Sequence, residues 1–347
     1  MFEGIDLNIV WFILVGVLFA GYAILDGFDL GTGALLLFFK KDEERRVLLN
    51  AVGPVWDGNE VWLIVGGGAL FAAFPYVYAT VFSGFYLAFM LLLLALILRA
   101  VSIEFRSKQP MPRWRSTWDV LFAVGSVLSA LLIGVAMGNV VQGIPLNEQG
   151  DFTGTFLSLL NPYALLLGVT TVALFTMHGA IFLTLKTEGI MQVQLRRLVR
   201  PCMVIFIILI SLHSLATISY IPHVRFAVEK HPWLFLLVVL CAALFITAVP
   251  YFLKRHKEGW AFVCSCTIMA CFMVLFGLTM YYAADVPLML YAHPLDHSLT
   301  IYNAASTRLT LEIMTIMALI GIPLVLVYFF AIYWIFRGKV KLNETSY

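Results

Sequence analysis

The long apolar runs constrain this chain more than any other feature of its sequence. A helix that crosses a bilayer needs about 20 predominantly apolar residues, and nine such runs follow one another along the 347 residues. Only 12% of the residues are charged, whereas a soluble domain is roughly one quarter charged. The sequence therefore predicts an all-α integral membrane protein with a single membrane domain over residues 1–347. The predicted spans are Ile9–Phe39, Val55–Phe74, Tyr76–Leu98, Trp118–Val140, Tyr163–Leu185, Pro201–Ile221, Leu234–Leu253, Ala261–Tyr282 and Leu309–Phe336.

The basic residues divide unevenly between alternate loops. Of the 22 Lys and Arg residues, all but Arg225, Lys230 and Arg308 fall in the first, third, fifth and seventh loops or in the C-terminal tail. Because cytoplasmic loops carry the excess of Lys and Arg, this pattern predicts an outer N-terminus, an inner C-terminus and an odd number of spans. The first run follows acidic rather than basic residues, so we expect a retained helix and not a signal peptide. The net charge of +2 gives no indication of nucleic-acid binding.

Two carboxylates interrupt the first apolar run. Asp26 and Asp29 lie in the stretch AILDGFDLGTGA, and residues three apart share one face of a helix. An acid at the bilayer centre costs roughly 2.5–3.5 kcal/mol on insertion scales, so both are expected to face the bundle interior. Gly27 and Gly31 form a small-xxx-small step that allows another helix to approach closely. The stretch therefore predicts a buried acidic face beside a helix contact.

A second acidic pair begins the next run, in the stretch GPVWDGNEVWL. Asp57 and Glu60 are again three residues apart, and the assigned topology brings them to the inner half of the membrane with Asp26 and Asp29. Ionisable residues inside membranes commonly mark proton relays, so we predict a proton path here. Two structural alternatives stay open: Asp57 and Glu60 could complement the helix dipole, and Asp26 and Asp29 could form hydrogen bonds between helices.

Other polar residues in the spans have simpler interpretations. Arg99 ends the third run and is predicted to extend to the interface, with pairing to Asp57 or Glu60 as the alternative. Asp119 is predicted to cap the fourth helix. His178 and His213 lie on neighbouring helices that could supply two haem ligands, but at about 1.5 Å per residue their levels differ by about 10 Å. We therefore expect hydrogen-bonded histidines, and no metal or redox cofactor bound by this chain.

Three functions are compatible with these residues. The chain could be a proton-carrying subunit of an energy-transducing complex, a proton-coupled secondary transporter, or a scaffold for another membrane subunit. Transporters usually contain broken helices in two repeated halves, and the acids and glycines here concentrate in the first two helices only. The first and third functions both require a partner, because redox cofactors must be held elsewhere.

Long motifs in a fixed order resemble subunit II of the cytochrome bd quinol oxidases. The resemblance extends over nearly the whole chain. The motifs are DGFDLG at 26–31, GPVWDGNEVWL at 53–63, GGALFAAFP at 67–75, FSGFY at 82–86, the basic and tryptophan spacing of 106–118, LNPYALLLG at 160–168, WAF at 260–262 and NAASTRLTLEIMT at 303–315.

This resemblance implies a fold and a partner. The family couples quinol oxidation to the reduction of dioxygen to water in the bacterial cytoplasmic membrane, and it takes protons from the cytoplasm without pumping. Subunit I carries haems b558, b595 and d. Subunit II has nine helices, which here correspond to four-helix bundles over residues 9–140 and 163–282 and a peripheral ninth helix over 309–336. A structural quinone within the lipid-embedded subunit and a small third subunit are compatible with the family.

The resemblance also implies roles for individual residues. The family's aspartate after a tryptophan in helix two corresponds to Asp57, which follows Trp56, and it is assigned to a cytoplasmic proton path. The aspartates of helix one correspond to Asp26 and Asp29. The position of Glu60 is glutamine in some members. The predicted path therefore consists of Asp57, Asp29, Asp26 and Glu60, with Trp56 and Arg99 in support.

Overall fold

The computed structural model describes residue 2 and residues 4–342, and the secondary structure of this part is mainly helical. Two pairs of short strands form small caps: Ile144–Pro145 (β1) runs parallel to Ala292–His293 (β3), and Leu288–Leu290 (β2) runs antiparallel to Leu299–Thr300 (β4). The helices are α1 Leu7–Leu36, α2 Asp42–Val52, α3 Trp56–Ala73, α4 Pro75–Gly84, α5 Tyr86–Phe105, α6 Pro112–Gln142, α7 Pro162–Lys186, α8 Gly189–Tyr220, α9 Pro222–Lys230, α10 Pro232–Lys254, α11 Glu258–Tyr282 and α12 Arg308–Ile335. The strands are β1 Ile144–Pro145, β2 Leu288–Leu290, β3 Ala292–His293 and β4 Leu299–Thr300.

Eight helices in the described part are long and apolar enough to cross a membrane, namely α1, α5, α6, α7, α8, α10, α11 and α12. The chain is therefore a multi-pass membrane protein. The second predicted run forms α3, a helix of 18 residues. Its first turns carry Asp57, Asn59 and Glu60, and it is not among the eight long apolar helices.

The third predicted run is not one uninterrupted helix. The prediction of a single span over Tyr76–Leu98 is wrong, because the chain leaves helical geometry at Phe85 (φ −103°, ψ 18°) between α4 and α5. Phe85 is buried, and a Cβ on Gly84 would lie 2.8 Å from the Cβ of Phe152 in the cap that follows α6. The helix therefore breaks where it packs against a segment that is distant in sequence. The hydropathy of the run alone does not indicate such a break. Two segments interpreted as loops also form helices, α2 and α9.

The first helix lies at the centre of the fold. It packs against α3, α6, α7 and α11, and every residue from Asp26 to Gly33 is buried. The prediction that the two acids face the protein interior is confirmed. Since lipid does not reach this part of α1, neighbouring helices must meet the polar groups that it carries.

Two glycines set the distance between α1 and α7. A Cβ on Gly31 would overlap the carbonyl oxygen of Phe175, and a Cβ on Gly179 would lie 2.6 Å from the carbonyl carbon of Gly31. The backbones meet directly, which is the close approach predicted for the small-residue step. Phe28 and Phe182 stack beside the crossing with ring centroids 3.9 Å apart. The chain therefore combines close glycine packing with an aromatic contact on the same pair of helices.

We expect Gly31→Ala to destabilise the protein, because the methyl group has no space at the crossing of α1 and α7. Overpacking of this kind costs about 1–3 kcal/mol or more. The measurement is the thermal unfolding midpoint of the purified protein in detergent. Gly16→Ala is the matched control, since Gly16 lies on the same helix and a Cβ there meets no atom within 4 Å. Equal midpoints for the two variants would show that the crossing tolerates a side chain.

Candidate functional site

A buried arginine on α5 gathers three carboxylates from two other helices. Arg99 is 0% exposed. Its Nη2 lies 2.5 Å from Asp26 Oδ1, and its Nη1 lies 3.3 Å from Asp26 Oδ2. Nη1 also lies 2.5 Å from Glu60 Oε1, and Nη2 lies 3.7 Å from Asp29 Oδ2. We call Arg99, Asp26, Asp29 and Glu60 the Arg99 cluster.

Local sequence brings these groups together. Asp26 and Asp29 are one turn apart on α1, so both reach the same neighbour. Gly125 of α6 allows close packing against α5, because a Cβ there would lie 2.6 Å from the carbonyl oxygen of Ala95 and 3.2 Å from the backbone nitrogen of Arg99. The backbone of Arg99 is therefore packed against α6, while its guanidinium contacts the acidic face of α1.

Two further residues complete the polar surroundings of Asp29. Asn59, which is fully buried, donates from Nδ2 to Asp29 Oδ2 at 2.8 Å and to the Leu25 carbonyl at 3.2 Å. The Tyr333 hydroxyl of α12 donates to Asn59 Oδ1 at 2.8 Å. Within the described residues, Asp29 Oδ1 and Arg99 Nε have no hydrogen-bond partner. The cluster therefore retains one open acceptor and one open donor.

The charges of the cluster do not balance. Three carboxylates surround one guanidinium, so full ionisation would leave two excess negative charges in a site where Asp26, Asp29 and Arg99 are inaccessible to solvent. Burying an unpaired charge is costly. A proton bound by any of the carboxylates reduces this excess, and the hydrogen-bonded contacts allow the cluster to hold it. The arrangement is chemically suited to storing and passing protons.

The structure unites most of the predicted site residues but not all of them. Asp26, Asp29 and Glu60 share one guanidinium. The expectation that Arg99 extends to the interface is wrong, because the three carboxylates retain its charge in the interior; its alternative pairing with Glu60 is confirmed. Asp57 is exposed and forms no ion pair or hydrogen bond with the described residues. Trp56 is half-buried and packs against the main hydrophobic core.

Sequence reasoning gave no role to Asn59 or Tyr333. Asn59 stands inside the same acidic motif as Asp57 and Glu60, so a search for every polar residue of that motif would have found it. Tyr333 lies 274 positions from Asn59, and no local pattern connects the two. This contact depends on α12 packing against α3, which only the tertiary structure provides.

A second ionic network lies at the basic end, by which we mean the end of the helices that carries α2, the α5–α6 connection and the C-terminal segment. Arg106 Nε lies 2.5 Å from Asp119 Oδ1, and both side chains are 1% exposed. Arg45 Nη1 is 2.9 Å from Asp119 Oδ2. Arg106 and Arg115 both contact Asp42, at 2.7 and 2.8 Å. The network joins α2, α6 and the connection between α5 and α6.

This network corrects the prediction for Asp119. The helix that contains it begins at Pro112, so Asp119 lies inside α6 and does not cap it. At Asp42, burial raises the pKa, but the hydrogen bond from Arg106 and the charges of Arg106 and Arg115 outweigh burial and hold the pKa below its ordinary value. Asp42 is therefore an ionised anchor for the arginines at neutral pH.

The two candidate haem ligands have other partners. His178 Nδ1 lies 2.6 Å from Ser265 Oγ, and its Nε2 lies 2.9 Å from the Ile24 carbonyl. This confirms the prediction of a hydrogen-bonded histidine, and both ring nitrogens are engaged. His213 packs on Tyr163 with ring centroids 4.9 Å apart. The residues present do not fit an axial ligand pair, and the described part of the chain contains no group of three or more His, Cys, Asp or Glu positioned to hold a metal ion.

The sequence of this chain is similar to a known protein family over nearly its whole length, including the Arg99 cluster. The sequence profile described as "Cytochrome bd terminal oxidase subunit II" matches residues 7–336. The chain belongs to this family. The resemblance carried by the motifs is therefore confirmed, and the protein is a subunit of an oxidoreductase.

Individual relatives agree with the family assignment. The chain is 36% identical to "Cytochrome bd-I ubiquinol oxidase subunit 2" of Escherichia coli (strain K12), in an alignment that covers 97% of this chain and 96% of the relative. It is 35% identical to "Cytochrome bd ubiquinol oxidase subunit 2" of Bacillus subtilis (strain 168), over 98% of each chain. A solved structure of bd oxidase from Geobacillus thermodenitrificans superposes with a TM-score of 0.79 at 16% identity, covering 96% of this chain and 99% of that one. This last likeness shows a shared fold.

We expect Arg99→Gln to destabilise the protein by about 3–5 kcal/mol, the usual cost of leaving buried partners without their counter-charge. Arg308→Gln is the control: it removes a largely exposed ion pair with Glu312, and such pairs contribute about 0–1 kcal/mol. The measurement is chemical or thermal unfolding of the purified protein. Similar stability for both variants would contradict a central structural role for Arg99.

The lowered pKa of Asp42 predicts a pH dependence. Because the folded-state pKa lies below that of the unfolded chain, ionised Asp42 stabilises the fold above an unfolded pKa of about 3.9. This contribution is lost as the pH falls through the lower folded value. The difference in unfolding midpoint between the wild type and Asp42→Asn should therefore be constant near neutral pH and shrink below about pH 4. Asp285→Asn, at an exposed position, is the control; a difference that persists in acid would contradict the assignment.

Proposed function

We propose that this chain is subunit II of a quinol:dioxygen oxidoreductase in the bacterial cytoplasmic membrane, where it supports assembly of a haem-bearing subunit I. Family membership supports the complex, and two relatives are named as subunits of ubiquinol oxidases. The buried network at the basic end and the division of Lys and Arg between alternate loops support an inner C-terminus. Haems b558, b595 and d, which we assign to subunit I, supply the electron transfer and the oxygen chemistry.

We also propose α3 as the ninth membrane span. Its 18 residues rise about 27 Å at 1.5 Å per residue, which is close to the roughly 30 Å of a hydrocarbon core. It packs between α1 and α12, two of the long apolar helices. Its polar beginning is compatible with a membrane because Asn59 and Glu60 bond to groups on other helices. The two four-helix bundles and the peripheral ninth helix belong to the same proposal.

The Arg99 cluster is the observation that carries the proposed proton path. Exposure falls stepwise along the predicted residues: Asp57 is exposed, the Glu60 side chain is 19% exposed, and Asp26 and Asp29 are 0% exposed. This order supports proton uptake at Asp57, transfer at Glu60 one turn further along α3, and passage from Asp29 or Asp26 towards subunit I. Reduction of dioxygen to water consumes protons, so such a path would take them from the cytoplasm without pumping.

Arg99 has a positioning role in this proposal. Its fixed charge holds the three carboxylates within reach of one another and offsets part of their repulsion. Arginine stays protonated under physiological conditions, so it organises the path without exchanging the proton itself. Trp56 supports the beginning of α3 beside Asp57. A structural quinone and a small third subunit stay predictions from the family, and we assign no residue to either.

We expect Asp57→Asn to slow quinol-dependent oxygen consumption by about tenfold or more while leaving the haem content of the complex unchanged, because proton uptake would be impaired. Asp57 has no partner among the described residues, so this variant should not disturb packing. Oxygen consumption and the visible haem spectrum of the purified complex are the measurements. Glu43→Gln, which changes an exposed acid of α2, should leave turnover unchanged.

Asp29→Asn separates proton transfer from structure. The substitution keeps the size of the side chain and its contact with Asn59, but it removes the ionisable group. Reduced turnover with normal haem content would support a relay at Asp29. Normal turnover in assembled Asp57→Asn enzyme would exclude Asp57 from the path, and normal turnover in assembled Asp29→Asn would exclude an essential relay there.

A further inference from the structure

A cavity of about 280 Å³ opens at the basic end. It lies between the α2–α3 connection, the last turns of α7 and α12, and the C-terminal segment 338–341. Its walls include the apolar side chains of Val55, Phe182 and Ile335. Three lysines, Lys186, Lys339 and Lys341, complete the lining.

The lysines of this cavity form no ion pair within the part of the chain that the structure describes. None of the three forms an ion pair with a described residue, and no Asp or Glu belongs to the described lining. Lys186 is 8% exposed and donates to the Phe336 carbonyl. Lys339 Nζ donates to the Thr184 carbonyl at 3.3 Å. Since an ammonium group has three donors, each lysine retains donors for a further acceptor.

Backbone contacts bring the positive charges together. The Val340 N–H donates to the Lys186 carbonyl at 2.9 Å, so the C-terminal segment folds back along the end of α7. Lys339 is thereby near enough to repel Lys186. Burial and the charge of Arg196 lower the pKa of Lys339, and Glu188 opposes them only in part. An anion in the cavity would relieve this repulsion.

The chemistry of the lining identifies the class of anion. Converging lysines bind phosphate groups as point charges, and basic pockets between membrane helices on the cytoplasmic side bind acidic lipid headgroups. The apolar walls provide a surface for the glycerol and first methylenes of a lipid, which a free phosphate would not use. We propose that this cavity binds the phosphate group of a phosphate-bearing anion, with an anionic phospholipid as its source. Tyr333 also lines the cavity and donates to Asn59, so the cavity adjoins the polar surroundings of the Arg99 cluster.

The test is native mass spectrometry of the purified oxidase complex with added phosphatidylglycerol, compared with phosphatidylcholine. The wild type should retain phosphatidylglycerol in preference. Lys339→Gln combined with Lys341→Gln should weaken its binding about tenfold or more, since it removes two of the three charged hydrogen-bond donors. Lys186→Gln should have a similar effect. Lys254→Gln, at an exposed position at the end of α10, should have none.

A second arm distinguishes the source of the phosphate. Inorganic phosphate is added to the delipidated complex, with chloride at matched ionic strength as reference, and the unfolding midpoint is measured. If inorganic phosphate raises the unfolding midpoint of the wild type but not of the double variant, the ligand of the site is a soluble phosphate. If phosphatidylglycerol binds but inorganic phosphate does not raise the midpoint, the ligand is the lipid headgroup. Phosphatidylglycerol binding that the double variant leaves unchanged, or equal binding of phosphatidylcholine by the wild type, would overturn the proposal. Because binding is measured without turnover, failure here leaves the proposed oxidase function untouched.

Discussion

The buried guanidinium of Arg99 is the interaction on which the arrangement of α1, α3 and α5 depends. Acids within an apolar interior need hydrogen bonds and a counter-charge, and this one side chain supplies both to Asp26 and Glu60. The contact is possible because neighbouring helices approach closely, at Gly31 against α7 and at Gly125 against α5. Packing and electrostatics are therefore linked: the glycines bring the helices together, and the ion cluster determines which polar faces meet.

The two ionic networks differ in the sign of their excess charge. The Arg99 cluster combines three acids with one arginine, whereas the network at the basic end combines Asp42 and Asp119 with three arginines. Only the first has an excess of carboxylates that a proton can reduce. The second has an excess of fixed positive charge, which is suited to joining helices at the membrane surface. This difference is the physical reason for assigning the proposed proton path to the Arg99 cluster.

The predictions from sequence succeeded where the signal was local. Apolar run length predicted the long membrane helices, and the spacing of Asp26, Asp29 and the glycines predicted a buried acidic face beside a helix contact. They failed where a distant contact decided the outcome. Phe85 interrupts a continuous apolar run beside the cap that contains Phe152, Asp119 faces arginines instead of capping a helix, and Arg99 stays in the interior because carboxylates from two other helices surround it.

The sequence by itself determined the environment of this protein, its family, and the presence of acids where lipid would not tolerate them, because hydropathy, charge bias and motif spacing are properties of contiguous residues. The tertiary structure alone decided which of those acids share a partner. Asp57 and Glu60 belong to the same motif and lie three residues apart, but only the Glu60 carboxylate contacts Arg99. The contact between Tyr333 and Asn59 and the lysine-lined cavity likewise bring together segments that are far apart in the chain. Such contacts depend on helix crossings, and no local pattern specifies them.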